Sequence, residues 1–220
     1  MGGWNCRHSY HPFFPGYEPA YSEDDLNEYT KKVCAYNGKE LTDYEASQQQ
    51  RYFERGIRRW KREYVAMEAS GEDTTQAAVK LKQWREREAD FLRQTDRRRD
   101  SSRSQVGTFG RSEAGKATWT AKKFNQFSQS IVGTTTSTGV AIQDISPHFF
   151  VRCNESGVSQ DNIVDALTTP LKTGKIRADM SQQFIGEKAT VVINTETGKA
   201  VTLWPTSAKR PQKLKKGTQT

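Results

Sequence analysis

Between residues 43 and 68 the apolar positions Phe53, Ile57, Trp60, Tyr64 and Met67 step by four, three, four and three. That spacing places all five on one face of an α-helix. Thr42 stands where its N-cap belongs, and Glu45 follows three residues later, the spacing of a capping box. Gly71 interrupts the period. It resumes over 74–95 with Ala77 or Ala78, Leu81, Trp84, Phe91 and Leu92, and Glu88 breaks the second stripe. Two helices joined by a short glycine-containing turn are expected to fold back as an antiparallel hairpin with a coiled-coil-like seam. The other faces mix Arg, Lys and Glu, as a solvated surface does.

Residues 96–104 read Asp-Arg-Arg-Arg-Asp-Ser-Ser-Arg-Ser, the composition of a linker. The segment 113–139 predicts one weak helix, with Trp119, Lys123, Phe124 and Phe127 close to one face. Residues 133–139 are low in complexity and expected to be flexible. The pattern then changes. Ser146 followed by Pro147 is an N-cap with proline at the first helical position. That helix is expected to run to about Glu155 and stop at Gly157. Ser159 caps a second helix through Ile163, Val164, Ala166 and Leu167, and Pro170 lies beyond its end. Residues 172–177 predict a first strand and 188–194 a strong one. Thr195 to Gly198 predicts a turn, and 200–204 the return strand. Two helices followed by an antiparallel sheet make a small α+β domain over 140–207. The fold class is therefore α+β. An N-terminal irregular segment (1–42), a charged helical hairpin (43–95) and a flexible linker with one weak helix (96–139) precede that domain, and a basic tail (208–220) follows it.

Composition fits this division. The apolar fraction is 34%, below the usual ~45–50%. That suits a small core plus an extended helical element better than one large core. No run approaches a membrane span, and no basic segment leads into an apolar one near the start, so neither a membrane protein nor a secreted one is expected. The three cysteines, Cys6, Cys34 and Cys153, are odd in number and widely spaced, which points to a reducing compartment rather than a disulfide framework. Formal net charge is +8. Lys209, Arg210, Lys213, Lys215 and Lys216 have no acid among them. Such a tail either neutralises phosphates of a polyanion or is simply solvated. Residues 1–20 carry Trp4, Tyr10, Phe13, Phe14 and Tyr17 among Pro12, Pro15 and Pro19, which excludes a helix and leaves aromatics in need of a partner surface.

Asn5-Cys6-Arg7-His8, Tyr36-Asn37-Gly38-Lys39-Glu40, the run Tyr44 to Arg51 and the Arg-rich helix 51–62 resemble, in order, the C-terminal part of phage minor capsid proteins of the portal-associated, head-morphogenesis type. In that family Asn-Cys-Arg-His comes late in a larger domain, whereas here it begins at residue 5. The resemblance therefore implies that 1–42 is a truncated remnant of a preceding capsid domain. It also implies a location in the virion or the host bacterial cytoplasm, with capsid or portal subunits as partners and self-association through the hairpin. Residues 140–207 are similar to C-terminal modules of the Barnase–EndoU–Colicin–RelE-like nuclease group. The resemblance rests on Ser146 to Arg152, Gly157-Val158-Ser159, Phe184 to Lys188, Val191 to Asn194, Thr197-Gly198 and Trp204-Pro205-Thr206-Ser207. It implies a nuclease-like shape and RNA or packaged DNA as a partner.

Metal-independent RNA cleavage needs a base for the ribose 2′-OH, an acid for the leaving 5′-oxygen and cations or donors around the phosphate. His148 titrates in the right range. Arg152, four residues on, and Glu155, three further, share its helical face, with Arg152 suited to a phosphate and Glu155 to a base or orienting role. Lys188, Thr190 and Thr202 complete the candidate catalytic set, and Lys172, Lys175, Arg177, Thr206 and Ser207 the nucleic-acid contacts. With no second histidine in the module, the acid is water or a lysine. The bland alternative is a capping histidine, a surface ion pair and ordinary strand threonines. Cys153, beside Arg152, reads as a buried small hydrophobe rather than a nucleophile. Cys6, His8 and His11 form one ligand-type cluster, but a zinc site usually draws on two, so neither a metal nor any other cofactor is expected.

Overall fold

The structure is a computed structural model that describes residues 14–16 and 22–216. In chain order its elements are α1 (Glu23–Thr30), β1 (Lys32–Tyr36), β2 (Lys39–Thr42), α2 (Asp43–Ser70), α3 (Thr75–Thr95), a 3-10 turn (Ser101–Ser104), α4 (Arg111–Gln129), β3 (Asp144–Ile145), α5 (Pro147–Ser156), α6 (Gln160–Thr168), β4 (Lys172–Thr173), β5 (Ser181–Ile185), β6 (Ala189–Asn194), β7 (Lys199–Pro205) and α7 (Lys209–Lys216). This mixture of helices and mainly antiparallel sheets is α+β, as expected. Two compact units divide the described residues: those up to 52 with 89–99, and 53–88 with those from 100 on. Both α2 and α3 contribute to each unit.

In the first unit the described part of 1–42 is not all irregular. Asn37 and Gly38, both at positive φ, close a two-residue turn between β1 and β2, which pair antiparallel. Tyr36 meets Phe91 edge to face at 5.1 Å, and the Asn37 amide donates to Gln94 Oε1 at 3.0 Å. The expected capping box is formed. Glu45 N donates to Thr42 Oγ1 (3.2 Å) and Thr42 N to Glu45 Oε2 (2.8 Å). Lys32 Nζ adds an ion pair to the same carboxylate at 2.8 Å.

The Lys32 bond, then the Thr42 amide, hold the Glu45 carboxyl down at about 2, against an ordinary 4.5. A depressed folded-state value means the stabilisation is complete above the ordinary value and is lost as pH falls towards 2. Wild type should therefore melt higher than Glu45→Gln at pH 7, and the gap should narrow steadily as pH falls from the ordinary value through about 2. Equal melting temperatures at pH 7 would refute this.

In the second unit the α2 stripe is buried, but against more than α3. Ile57 and Tyr64 of α2, Ala77, Ala78 and Leu81 of α3, and Ala117 and Ala121 of α4 share one core with Phe109, and Trp60, Met67 and Trp84 pack at its rim. Helix α4 thus packs into the seam between α2 and α3. Gly56 sits opposite the Trp84 indole, where any Cβ would overlap the ring. That close approach accounts for a glycine in mid-helix despite its cost of about 1 kcal/mol. The Arg/Ser-rich stretch is also fixed: Arg58 donates to the Arg103 carbonyl and Lys61 Nζ to that of Ser104 (2.6 Å).

The expected flexible linker is therefore a structural element. Helix α4 turns Phe124 and Phe127 into the core of the C-terminal module, beside Phe149, Phe150, Ile163, Leu167 and Leu203. The threonine-rich 133–139 stretch is tied down as well. Gly133 N donates to Ile142 O, Thr136 N to Val140 O and Ser137 N to Leu167 O, all within 2.8–2.9 Å. Sparse apolar content hid both features, because a segment wedged between two cores needs only a few large side chains.

The five-stranded sheet has the order β3-β7-β6-β5-β4. β3 runs parallel to β7, and every other pair is antiparallel. The strand expected over 172–177 is only Lys172–Thr173, and its ladder partner β5 was not anticipated. Helices α5 and α6 start as read: Ser146 Oγ accepts from Phe149 N at 3.0 Å and Ser159 Oγ from Asn162 N at 3.3 Å. Gly157 ends α5 in the left-handed conformation.

Candidate nucleic-acid interface

Helix α5 is anchored at its first turn to β7. Ser146 N donates to Ala200 O at 2.9 Å and Ser146 Oγ to Val201 O at 2.7 Å. Phe149, Phe150 and Cys153 are buried, so the opposite face of α5 is turned outward. His148, Arg152 and Glu155 are all exposed on it. Arg152 and Glu155 pair at 3.2 Å, a surface ion pair of small energetic weight. His148 makes no hydrogen bond or ion pair with any described residue. A shallow cleft of about 170 Å³ lies beside Arg152 and Glu155, closed by Ser156, Leu203, Trp204 and Pro205.

Strand register places the other candidates. Lys172 lies opposite Ile185, Ile185 opposite Thr190, and Thr190 opposite Trp204. Lys172 is therefore three strands from β7, about 14 Å away at the usual strand spacing. Lys175 and Arg177 follow Lys172, and Arg177 N donates to Ser181 O, which carries them along the β4 side of the sheet. The structure thus brings Arg152 and Glu155 together with the β7 end, and leaves Lys172, Lys175 and Arg177 at the far edge. Lys188 is exposed in the β5–β6 turn. Thr202 is half-buried opposite Val192.

Thr190 is a poor substrate donor. It is completely buried, and its hydroxyl shares a hydrogen bond with Thr206 Oγ1 at 2.8 Å. The pair, with Thr206 N bonded to Lys188 O at 2.9 Å, fixes the end of β7, and Ser207 follows it, exposed. Cys153 is also committed to structure: it is buried, its thiol donates to Val158 O at 3.1 Å, and burial pushes its pKa up, opposite to what a nucleophile needs. Cys6, His8 and His11 lie outside the described residues. Among the described residues no three His, Cys, Asp or Glu gather as a metal site, and no helix is long and apolar enough to cross a membrane.

One surface residue escaped the sequence reading. Trp119, grouped there with Phe124 and Phe127, points outward and is 58% exposed, and Lys123 Nζ sits 3.5 Å above its ring centroid. Helical spacing held the signal, since five residues from Trp119 to Phe124 is a rotation of about 140°.

No curated protein and no solved structure matches the chain. The nuclease resemblance of the C-terminal module gains no support from these comparisons. Residues 1–93 match the family model of phage minor capsid protein 2, and that match supports a phage minor capsid protein.

Proposed function

We propose that this chain is a structural component of a phage head, docked through its N-terminal unit on capsid or portal subunits, with a C-terminal module that holds nucleic acid by its phosphates. The family match over residues 1–93 supports the first half. The second rests on one observation: Arg152, Lys188, Lys172, Lys175 and Arg177 are all exposed and spread from α5 beside β7 to the β4 edge of the sheet. Dispersed cations suit several phosphates of an extended polyanion, whereas catalysis on one phosphate needs them gathered. Binding to a DNA fragment or RNA by the full chain should fall steeply with salt. Replacing Lys172, Lys175 and Arg177 together by Gln should reduce the log–log salt slope by about two to three. A slope unchanged in that variant would refute this binding mode.

The shared outward face of His148, Arg152 and Glu155 favours a second reading, ribonuclease action without metal. His148 or Glu155 would take the 2′-OH proton, Arg152 would meet the phosphate charge, and water or Lys188 would protonate the leaving oxygen. RNA incubated with the full chain in EDTA should then be cleaved, and His148→Ala should slow cleavage by about 100-fold or more while keeping the fold. Absence of cleavage by the wild type, or an unimpaired variant, would exclude this chemistry.

A further inference from the structure

Helix α4 turns one face outward. Trp119 is its one large exposed aromatic. Lys122 and Lys123 stand one turn further on, both exposed, and from residue 114 to 129 the helix has no acid. Its single carboxylate, Glu113, is occupied by the Gly110 amide at 2.8 Å. Beyond Lys123 opens a cleft of about 520 Å³, lined by Lys123, Gln126, Asn154 and Gln160 over Phe127 and Phe150. On the other side of Trp119 the surface is of opposite character: Lys116 is paired with Glu68 at 2.6 Å, and Glu72 lies nearby.

We infer that this face binds single-stranded nucleic acid, with a base stacked on Trp119, phosphates on Lys122 and Lys123, and the next bases over the amide-lined cleft. Lys123 Nζ lies over one face of the indole, so the base stacks on the opposite face, with a counter-charge already in place. Side-chain amides donate and accept at once, so they meet the edges of unpaired bases. Residues 119 to 126 span about 10 Å of helix, the length of about three stacked nucleotides. The acidic side beyond Lys116 repels phosphate, which directs the strand towards Lys123. A duplex offers no free base face and gains nothing from Trp119. The inference rests on the nucleic-acid reading above and assigns it a surface that reading does not include.

The test is fluorescence anisotropy of the full chain with a labelled oligothymidylate of about 12 nucleotides, the matching oligouridylate and a duplex of equal length. Trp119→Ala should weaken single-strand binding roughly 5- to 100-fold and leave duplex binding unchanged, while Trp119→Phe should recover most of the loss. Lys122→Gln with Lys123→Gln should lower the single-strand salt slope by about 1.4. Because Trp119 lies outside both cores, Trp119→Ala should keep its circular dichroism. Unchanged single-strand affinity in Trp119→Ala would overturn the inference, as would equal loss for duplex and single strand. If only the Lys172, Lys175 and Arg177 variant loses binding, the broader reading stands and this one fails. If the wild type binds no nucleic acid, both fail.

Discussion

Phe127→Ala should cost the second unit about 3–5 kcal/mol, the usual range for deleting a fully packed aromatic ring. Phe127 is buried and contacts two rings of α5, Phe150 at 5.1 Å and Phe149 at 6.2 Å between centroids. Phe124 completes the group, edge-on to Phe150 at 5.8 Å. The neighbours belong to a helix fixed at its N-terminus by Ser146, so they cannot collapse freely into the space left. Urea denaturation of the full chain, followed by circular dichroism, measures the loss, and a cost below about 1 kcal/mol would show that α4 is not part of this core. The same argument sets the boundary of the C-terminal module. A fragment beginning at residue 140 lacks both phenylalanines, so it exposes the inner face of α5. It should be far less stable than the same module in the full chain, which is why activity and binding are best measured on the whole protein.

The parts legible in the sequence were those specified by local chemistry. The α2 stripe, the Thr42–Glu45 box, the Ser146-Pro147 start and the Ser159 cap are each fixed within a few residues, and all formed as read. β6, its turn and β7 were visible because Val191, Val192 and Ile193 stand in an unbroken apolar run. β5 was not: Ser181 and Gln182 look like loop residues but are buried, and Gln182 is satisfied there by the Gly174 carbonyl at 3.1 Å. The β1–β2 hairpin is hard to read although Asn37-Gly38 is a strong turn signal, because Val33, Cys34, Ala35 and Tyr36 form a short apolar run without the apolar–polar alternation of a half-exposed strand. For the candidate site, helical spacing correctly grouped His148, Arg152 and Glu155 on one face. What spacing cannot supply is strand order. That order separates Lys172, Lys175 and Arg177, the expected nucleic-acid contacts, from α5 and sets them along the β4 edge of the sheet.

Gly198→Ala should destabilise the same unit by about 2–4 kcal/mol, from left-handed backbone strain plus overpacking. Gly198 has φ of 63°, and a Cβ there would run into the carbonyl oxygen of Ala141 and the side chain of Gln143. Those atoms cannot yield cheaply. Gln143 N donates to Gly198 O at 2.9 Å, and the next residues form β3, where Asp144 pairs with Lys199 at 2.8 Å. Pushing this strand outward pulls on Ser146, whose two bonds to β7 set the first turn of α5. The variant should therefore lose stability and also shift the imidazole resonances of His148, which a purely local turn defect would leave alone. Gly198→Asn separates the two causes. Asn tolerates the left-handed conformation better than Ala but still carries the Cβ, so comparable damage in both variants identifies the close approach of 141–143 as the main constraint. Recovery in Asn would assign the cost to backbone strain and release α5 from any dependence on the turn.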